Sequence, residues 1–240
     1  MVNGIKSRNL GIPDYRKALS QHQKYVEILE ECGLQVEIMQ ADEAFPDSVF
    51  IEDTAVLTPK FALITRPGAP SRQGETAAVE GKVKEFYSTV YHIHPPGTLD
   101  GGDVLTVGSR YFIGLSRRTG DSGLDQLTEF LRHYGLEGFE IRIKDLLHLK
   151  SGVSYLGEDT LLVSEALAGF GMFEAYRRIP VPPEETDAAN ALRINDVVLL
   201  PAGFPRTLER VKKAGFAVKT LDVSEFRKLD GGLSCLSLRF

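Results

Sequence analysis

The sequence predicts an α/β protein assembled from one repeated unit, a β-hairpin accompanied by a helix. Three observations carry that expectation: four pairs of short apolar stretches are joined by polar turns, four amphipathic helices are interspersed with them, and a further apolar stretch, Leu233 to Arg239, has no hairpin partner. A repeat architecture closed into a ring would pair that last strand with one from the opposite terminus.

In chain order, Tyr15, Ala18, Leu19, His22, Tyr25, Val26 and Leu29 recur at helical spacing between Pro13-Asp14 and Gly33, where glycine offers a left-handed stop. The same pattern predicts helices over Glu75 to Tyr87, Ser122 to Tyr134 before Gly135, and Arg206 to Ala214 before Gly215. Short apolar strands are expected after helices at Gln35 to Ile38, Val90 to Ile93 and Ala217 to Leu221. The hairpins pair Val49 to Leu57 with Phe61 to Thr65, Asp103 to Val107 with Tyr111 to Leu115, Gly152 to Leu156 with Thr160 to Val163, and Ala191 to Ile194 with Val197 to Leu200. Between the third and fourth hairpins the helical pattern is weakest. Pro180 to Thr186 reads there as a surface loop within a single domain spanning 1–240.

At 240 residues, 42% hydrophobic and 25% charged, the chain can bury a sizeable core. A net charge of -5 with no long Lys/Arg run argues against nucleic acid as a partner. No apolar stretch approaches a membrane span, and Met1 to Lys6 lacks the apolar core of a signal peptide, so a cytoplasmic protein with no membrane partner is expected. Cys32 and Cys235 are far apart in sequence and are read as free thiols. Cys32 reads as a helix residue without chemical duty. No Cys or His pair has structural-zinc spacing, and neither a metal nor a cofactor is expected.

Cys235 is the sixth residue from the chain end, at the start of the unpaired strand, where a held thiol suggests a nucleophile. Upstream segments supply the other parts of a Cys-His-acid site: His148 in His-Leu-Lys-Ser-Gly, the pair Glu52-Asp53, and Asp100-Gly-Gly-Asp103. Glu52 and Asp53 are adjacent carboxylates in an apolar strand, which strand alternation would point to opposite faces. Buried acids need partners there, and a guanidinium suits them because it donates parallel hydrogen bonds; a ligand or an internal arginine would serve equally. Arg72 and Arg118 sit in loops after strands, where a ligand carboxylate could be clamped, although loop arginines are commonly solvated. Asp100 to Asp103 fits ordinary turn chemistry as well as a histidine-orienting acid. An apolar setting would poise His148 near neutral pH, and a lone histidine of this kind is also a common core residue. His92 and His94 are assigned no chemistry.

Taken together, Phe45 to Val56, Ile64 to Arg72, Gly114 to Gly120, His148 to Tyr155, Pro201 to Thr207 and Leu229 to Phe240 resemble the dimethylarginine dimethylaminohydrolase family, close to its bacterial members, from about Ile5 to Phe240. The resemblance implies a pentein fold, five ββαβ modules around a pseudo-fivefold axis. The family's first strand is missing before Val2, so the fifth module is expected to be incomplete. By the same resemblance Cys235 is the nucleophile, His148 the general acid and base, and Asp100 the acid that orients it, leaving Asp103 structural. Asp53 would hold the guanidinium with Glu52 nearby, and Arg72 and Arg118 the α-carboxylate. Asp47 and the Ile5 carbonyl would take the α-amino group, and Leu229 would lie near the ligand through its backbone.

The implied activity is hydrolysis of Nω-methylated arginines to citrulline and an amine through a covalent thiouronium. The implied partner is a small methylarginine substrate, and the reading is compatible with a homodimer. No metal is required, although zinc could inhibit by capturing Cys235 and His148. Enzymes acting on free arginine or on citrulline share the same parts. A non-catalytic arginine-binding protein would have no use for Cys235, His148 and Asp100 together.

Overall fold

Four three-stranded sheets repeat one plan in a computed structural model that describes residues 1–240: a hairpin is joined by a third strand lying parallel to the hairpin's second. The chain divides into two compact units, residues 1–41 with 151–234 and residues 42–150 with 235–240. No helix is long and apolar enough to cross a membrane.

The unit formed by residues 42–150 and 235–240 holds two sheets. β1 (Ala55–Leu57) pairs antiparallel with β2 (Ala62–Ile64), and β3 (Val90–His92) adds parallel to β2 after the helix α2 (Thr76–Val83). β4 (Val104–Val107) and β5 (Arg110–Leu115) form the second hairpin, and β6 (Glu137–Arg142) runs parallel to β5 after α3 (Asp121–His133). A core of Phe61, Leu63, Leu99, Tyr111, Ile113, Leu127 and Leu131, each fully buried, joins sheet faces to the apolar stripe of α3.

In the other unit, α1 (Tyr15–Glu31) begins at Asp14, whose carboxylate accepts the Lys17 N–H at 3.1 Å. It ends at Gly33, which has φ +89°, while the Leu34 N–H reaches back to the Leu29 carbonyl at 3.1 Å. β7 (Val153–Gly157), β8 (Thr160–Val163) and β9 (Arg177–Pro180) form one sheet. The other comprises β10 (Leu192–Ile194), β11 (Val197–Pro201) and β12 (Ala217–Leu221), with α4 (Pro205–Lys213) before β12. A short α5 (Ser224–Arg227) follows. The second core gathers Leu156, Leu162, Ala188, Val198, Leu200 and Val211.

Four expectations change. Leu233 to Arg239 forms no strand; the chain turns through a 3-10 helix at Ser234–Leu236. Gln35 to Ile38 joins no ladder, and residues 1–13 contain no strand to pair with either segment. Glu52 and Asp53 lie in a 3-10 turn, Ile51–Thr54, and not in a strand. Arg72 Nη2 occupies the carbonyls of Asp47 and Phe50 just before that turn, which a ladder would otherwise use. Between the third and fourth hairpins no α-helix forms, and Pro180 to Thr186 is more than a loop. Pro180 ends β9, a 3-10 turn covers Pro183–Ala189, and buried Glu185 accepts the N–H groups of Arg206 and Thr207 at the start of α4.

Replacing fully buried Leu127 by Ala should cost about 2–5 kcal/mol of stability in urea unfolding. Leu19→Ala, at a residue 52% exposed, should stay within about 0.5 kcal/mol.

Candidate active site

His148 precedes the 3-10 turn Leu149–Ser151 that leads into β7, and only 6% of it is exposed. Its Nε2 donates to Asp100 Oδ2 at 3.0 Å, and its Nδ1 lies 3.8 Å from Asp53 Oδ1. Burial by itself would push the imidazole down, but the negative charges of Asp53 and Asp103 and the bond to Asp100 outweigh it and hold His148 up at about 9. The apolar setting expected from Leu146-Leu147 is therefore overruled. At neutral pH the ring is an imidazolium.

Asp100 opens the Gly-Gly-Asp turn, Gly101–Asp103, and is wholly buried. Burial alone would raise its carboxyl; the hydrogen bond and charge of His148, with the Gly68 N–H at 2.7 Å from Oδ1, keep it below the usual range. The two glycines allow a close approach. A Cβ at Gly101 would lie 2.0 Å from the Glu52 carbonyl oxygen, and one at Gly102 would lie 2.7 Å from both Asp53 Oδ1 and His148 Nδ1. The Gly102 N–H donates to Asp53 Oδ1 at 2.9 Å.

Asp53 and Glu52 are both buried and each has cationic partners. Asp53 Oδ2 accepts Arg72 Nη1 at 2.5 Å, while Glu52 Oε1 takes Lys150 Nζ at 2.6 Å and Arg239 Nη2 at 3.1 Å. Arg72 is 4% exposed, and its Nε and Nη2 also bond Glu75, with Nη2 reaching the Asp47 and Phe50 carbonyls. The family resemblance gives Arg72 an α-carboxylate to hold; the structure makes it first an internal counter-ion. Its Nη1 carries two hydrogens, and one of them serves Asp53. Arg118 is the more accessible arginine, 14% exposed, with Nη1 4.0 Å from Asp100 Oδ2. Gly68 packs directly on its backbone, since a Cβ there would lie 2.2 Å from the Arg118 carbonyl oxygen.

Cys235 is half-buried in the Ser234–Leu236 turn. The preceding Ser234 is fixed from both sides: its N–H donates to Asn190 Oδ1 at 2.9 Å, and its Oγ accepts Asn190 Nδ2 at 3.0 Å. Asp47 is buried, and Ile5, exposed, and Leu229, buried, belong to the unit that includes residues 1–41 and 151–234. Sequence reasoning missed Glu75, Lys150, Asn190 and Arg239. Of these, Lys150 sits two residues after His148 in the same motif, which was the available signal. Asp53, Asp100 and His148 offer ligand atoms within 4.8 Å of one another, so a divalent ion could be held there at the expense of the His148 proton.

A family model described as "N,N dimethylarginine dimethylhydrolase, eukaryotic" matches residues 13–167. The dimethylarginine dimethylaminohydrolase of Pseudomonas aeruginosa is 44% identical over 241 residues, covering 100% of this chain and 95% of its own. The chain belongs to the dimethylarginine dimethylaminohydrolase family. The Streptomyces coelicolor enzyme of that name is 39% identical, with 94% of this chain and 87% of its own covered. A crystal structure of the Pseudomonas dimethylarginine dimethylaminohydrolase, a Cys-to-Ser mutant complexed with citrulline, matches with TM-score 0.98, 44% identity, and coverage of 100% and 94%. An arginine dihydrolase domain from cyanobacteria, 23% identical with TM-score 0.87, shares the fold.

Within this dimethylarginine dimethylaminohydrolase family member, a raised histidine contributes stability that is complete below its unfolded value of about 6.5 and is lost as pH rises through about 9. The His148 ring resonances should titrate near pH 9 by NMR, and Asp53→Asn should bring the midpoint toward neutrality. A midpoint at or below 6.5 in the wild-type protein would contradict the acid cluster as the cause.

Proposed function

We infer that the chain hydrolyses Nω-methylated arginines, asymmetric dimethylarginine and monomethylarginine, to L-citrulline and dimethylamine or methylamine. The observation that carries this reading is the buried imidazolium of His148 on Asp100 beside Asp53, in a chain 44% identical over its whole length to a named enzyme of that activity. A guanidinium carbon is a poor electrophile because its charge is delocalised, so the reaction needs a strong nucleophile, a carboxylate that draws charge to one side, and a proton for the departing amine.

In the proposed mechanism the Cys235 thiolate attacks the guanidinium carbon, with Asp53 holding the guanidinium and Glu52 beside it. His148, whose Nε2 is held by Asp100, gives its Nδ1 proton to the leaving nitrogen as the C–N bond breaks, and a thiouronium remains on sulfur. The neutral ring then takes a proton from water, whose oxygen attacks the same carbon; the C–S bond breaks as the hydroxyl proton passes to sulfur, giving citrulline and the Cys235 thiol. Arg118, with the remaining Nη1 hydrogen of Arg72, would take the α-carboxylate, and Asp47 the α-amino group. The assignments of the Ile5 carbonyl and of Leu229 rest on the sequence resemblance.

The same reading extends to the fold. Each three-stranded sheet would be one pentein blade.

Incubation with asymmetric dimethylarginine, monomethylarginine, arginine and citrulline, followed by mass spectrometry, should yield citrulline from the first two. Ammonia from arginine, or ornithine from citrulline, with no turnover of the methylated forms would replace this reading by a sister activity. Cys235→Ser should lower kcat to background while ligand binding stays measurable by calorimetry. If the thiolate forms only as the cationic substrate arrives, an inert guanidinium ligand that leaves sulfur accessible should speed alkylation of Cys235, and slower or unchanged alkylation would count against that order.

A further inference from the structure

Asp103 was read from sequence as structural, yet it is wholly buried and its partners are hydrogen-bond donors and not a cation. Burying a carboxylate is costly, and a side chain that only filled space could be apolar. The directions of its bonds suggest why the charge is there. Oδ1 accepts the N–H of Leu149, the residue after His148, at 2.9 Å. Oδ2 accepts Ser116 Oγ and Thr119 Oγ1, each at 2.7 Å. Ser116 Oγ in turn accepts the N–H groups of Arg118 at 2.9 Å and Thr119 at 3.2 Å, and Thr119 Oγ1 accepts the N–H of Asp100 at 3.1 Å. One carboxylate thus fixes the backbone beside His148, the loop that carries Arg118, and the backbone of Asp100. Gly114 on β5 makes room for it: a Cβ there would lie 3.0 Å from Asp103 Oδ1 and 2.9 Å from the Leu149 Cβ.

We propose that Asp103 is a positioning residue for the hydrolysis, tying the histidine that moves the proton to the arginine loop that would hold the substrate's carboxylate. The inference rests on the proposed roles of His148 and Arg118. It also gives the charge a use, because His148 faces Asp53, Asp100 and Asp103, with Arg72 on Asp53 and Arg118 near Asp100 as the opposing cations. Asp103 is itself raised to about 6 by burial, against the charge of His148 and the bonds from Ser116, Thr119 and Leu149. It is therefore ionised at neutral pH, where all three acceptor bonds are possible.

The test measures kcat and KM across pH, and the His148 titration by NMR, in the wild-type protein and in Asp103→Asn, Ser116→Ala and His148→Gln. Asp103→Asn replaces an acceptor oxygen by a donor and should lower kcat by about tenfold or more and the His148 midpoint by about one pH unit. Ser116→Ala keeps the carboxylate and its bond to Leu149, and should raise KM several-fold with the His148 midpoint unmoved. Wild-type kcat and an unchanged His148 midpoint in Asp103→Asn would overturn the proposal, as would a Ser116→Ala enzyme with unchanged KM. Should Asp103→Asn fail to fold by circular dichroism, Thr119→Val takes its place, with a smaller loss of kcat expected, Thr119→Ser restoring it, and wild-type kinetics in Thr119→Val counting against the proposal. His148→Gln separates the two levels. Retained turnover there would remove the assigned role of His148, whereas a dead His148→Gln beside a wild-type-like Asp103→Asn would remove only the role of Asp103.

Discussion

Three carboxylates, Asp53, Asp100 and Asp103, are kept out of water around one imidazole, and most of the surrounding architecture follows from that burial. An ionised carboxylate in the interior must be paired or amply hydrogen-bonded, and removing one partner from a buried pair typically costs about 3–5 kcal/mol. Each acid meets the requirement differently. Asp53 takes a guanidinium, Asp100 takes the imidazolium and a backbone N–H, and Asp103 takes two hydroxyls and a backbone N–H. Arg72 has more donors than Asp53 can take, and Glu75 accepts from its Nε and Nη2; Glu52 in turn draws in Lys150 and Arg239. From His148 the charges alternate through Asp100 to partly exposed Arg118 and through Asp53 to buried Arg72 and Glu75.

Such a lattice leaves little room for side-chain bulk, which explains the glycines better than turn chemistry does. Gly101 and Gly102 have ordinary negative φ; what they lack is a Cβ that would strike the Glu52 carbonyl, Asp53 or His148. Gly68 does the same against the Arg118 backbone while its own N–H bonds Asp100. By contrast Gly33, Gly135 and Gly215 end helices with φ between +71° and +103°, where the left-handed conformation is the reason for the residue.

The regular part of the fold was legible because periodicity and glycine stops are local signals: α1, α3 and α4 and the last three hairpins lie within a residue or two of their expected limits. The pairing of His148 with Asp100 was also legible, through the resemblance. What escaped was decided by partners distant in sequence. Strand alternation could not foresee that Arg72 would claim the carbonyls at 47 and 50 and leave Glu52 and Asp53 in a 3-10 turn. The leucines beside His148 suggest a ring poised near neutral pH, and acids 45 to 95 residues upstream raise it well above that. An expected strand at Cys235 required a ladder neighbour that residues 1–13 do not form, and a turn held by Asn190 through Ser234 took its place.

Under the proposed roles, the raised histidine constrains the order of the chemistry. A group held at about 9 is protonated at neutral pH, so it is ready to donate to a leaving amine but cannot first remove a proton from the Cys235 thiol. In the proposed mechanism an arriving guanidinium would offer the compensating positive charge that a thiolate needs. The general-base role becomes open to His148 only after the amine has carried its proton away. At that stage the imidazole is neutral among Asp53, Asp100 and Asp103, which favour its reprotonation and so favour taking a proton from the attacking water. One cluster of buried acids thereby suits both halves of the reaction, and it does so only in the sequence of amine release before water attack.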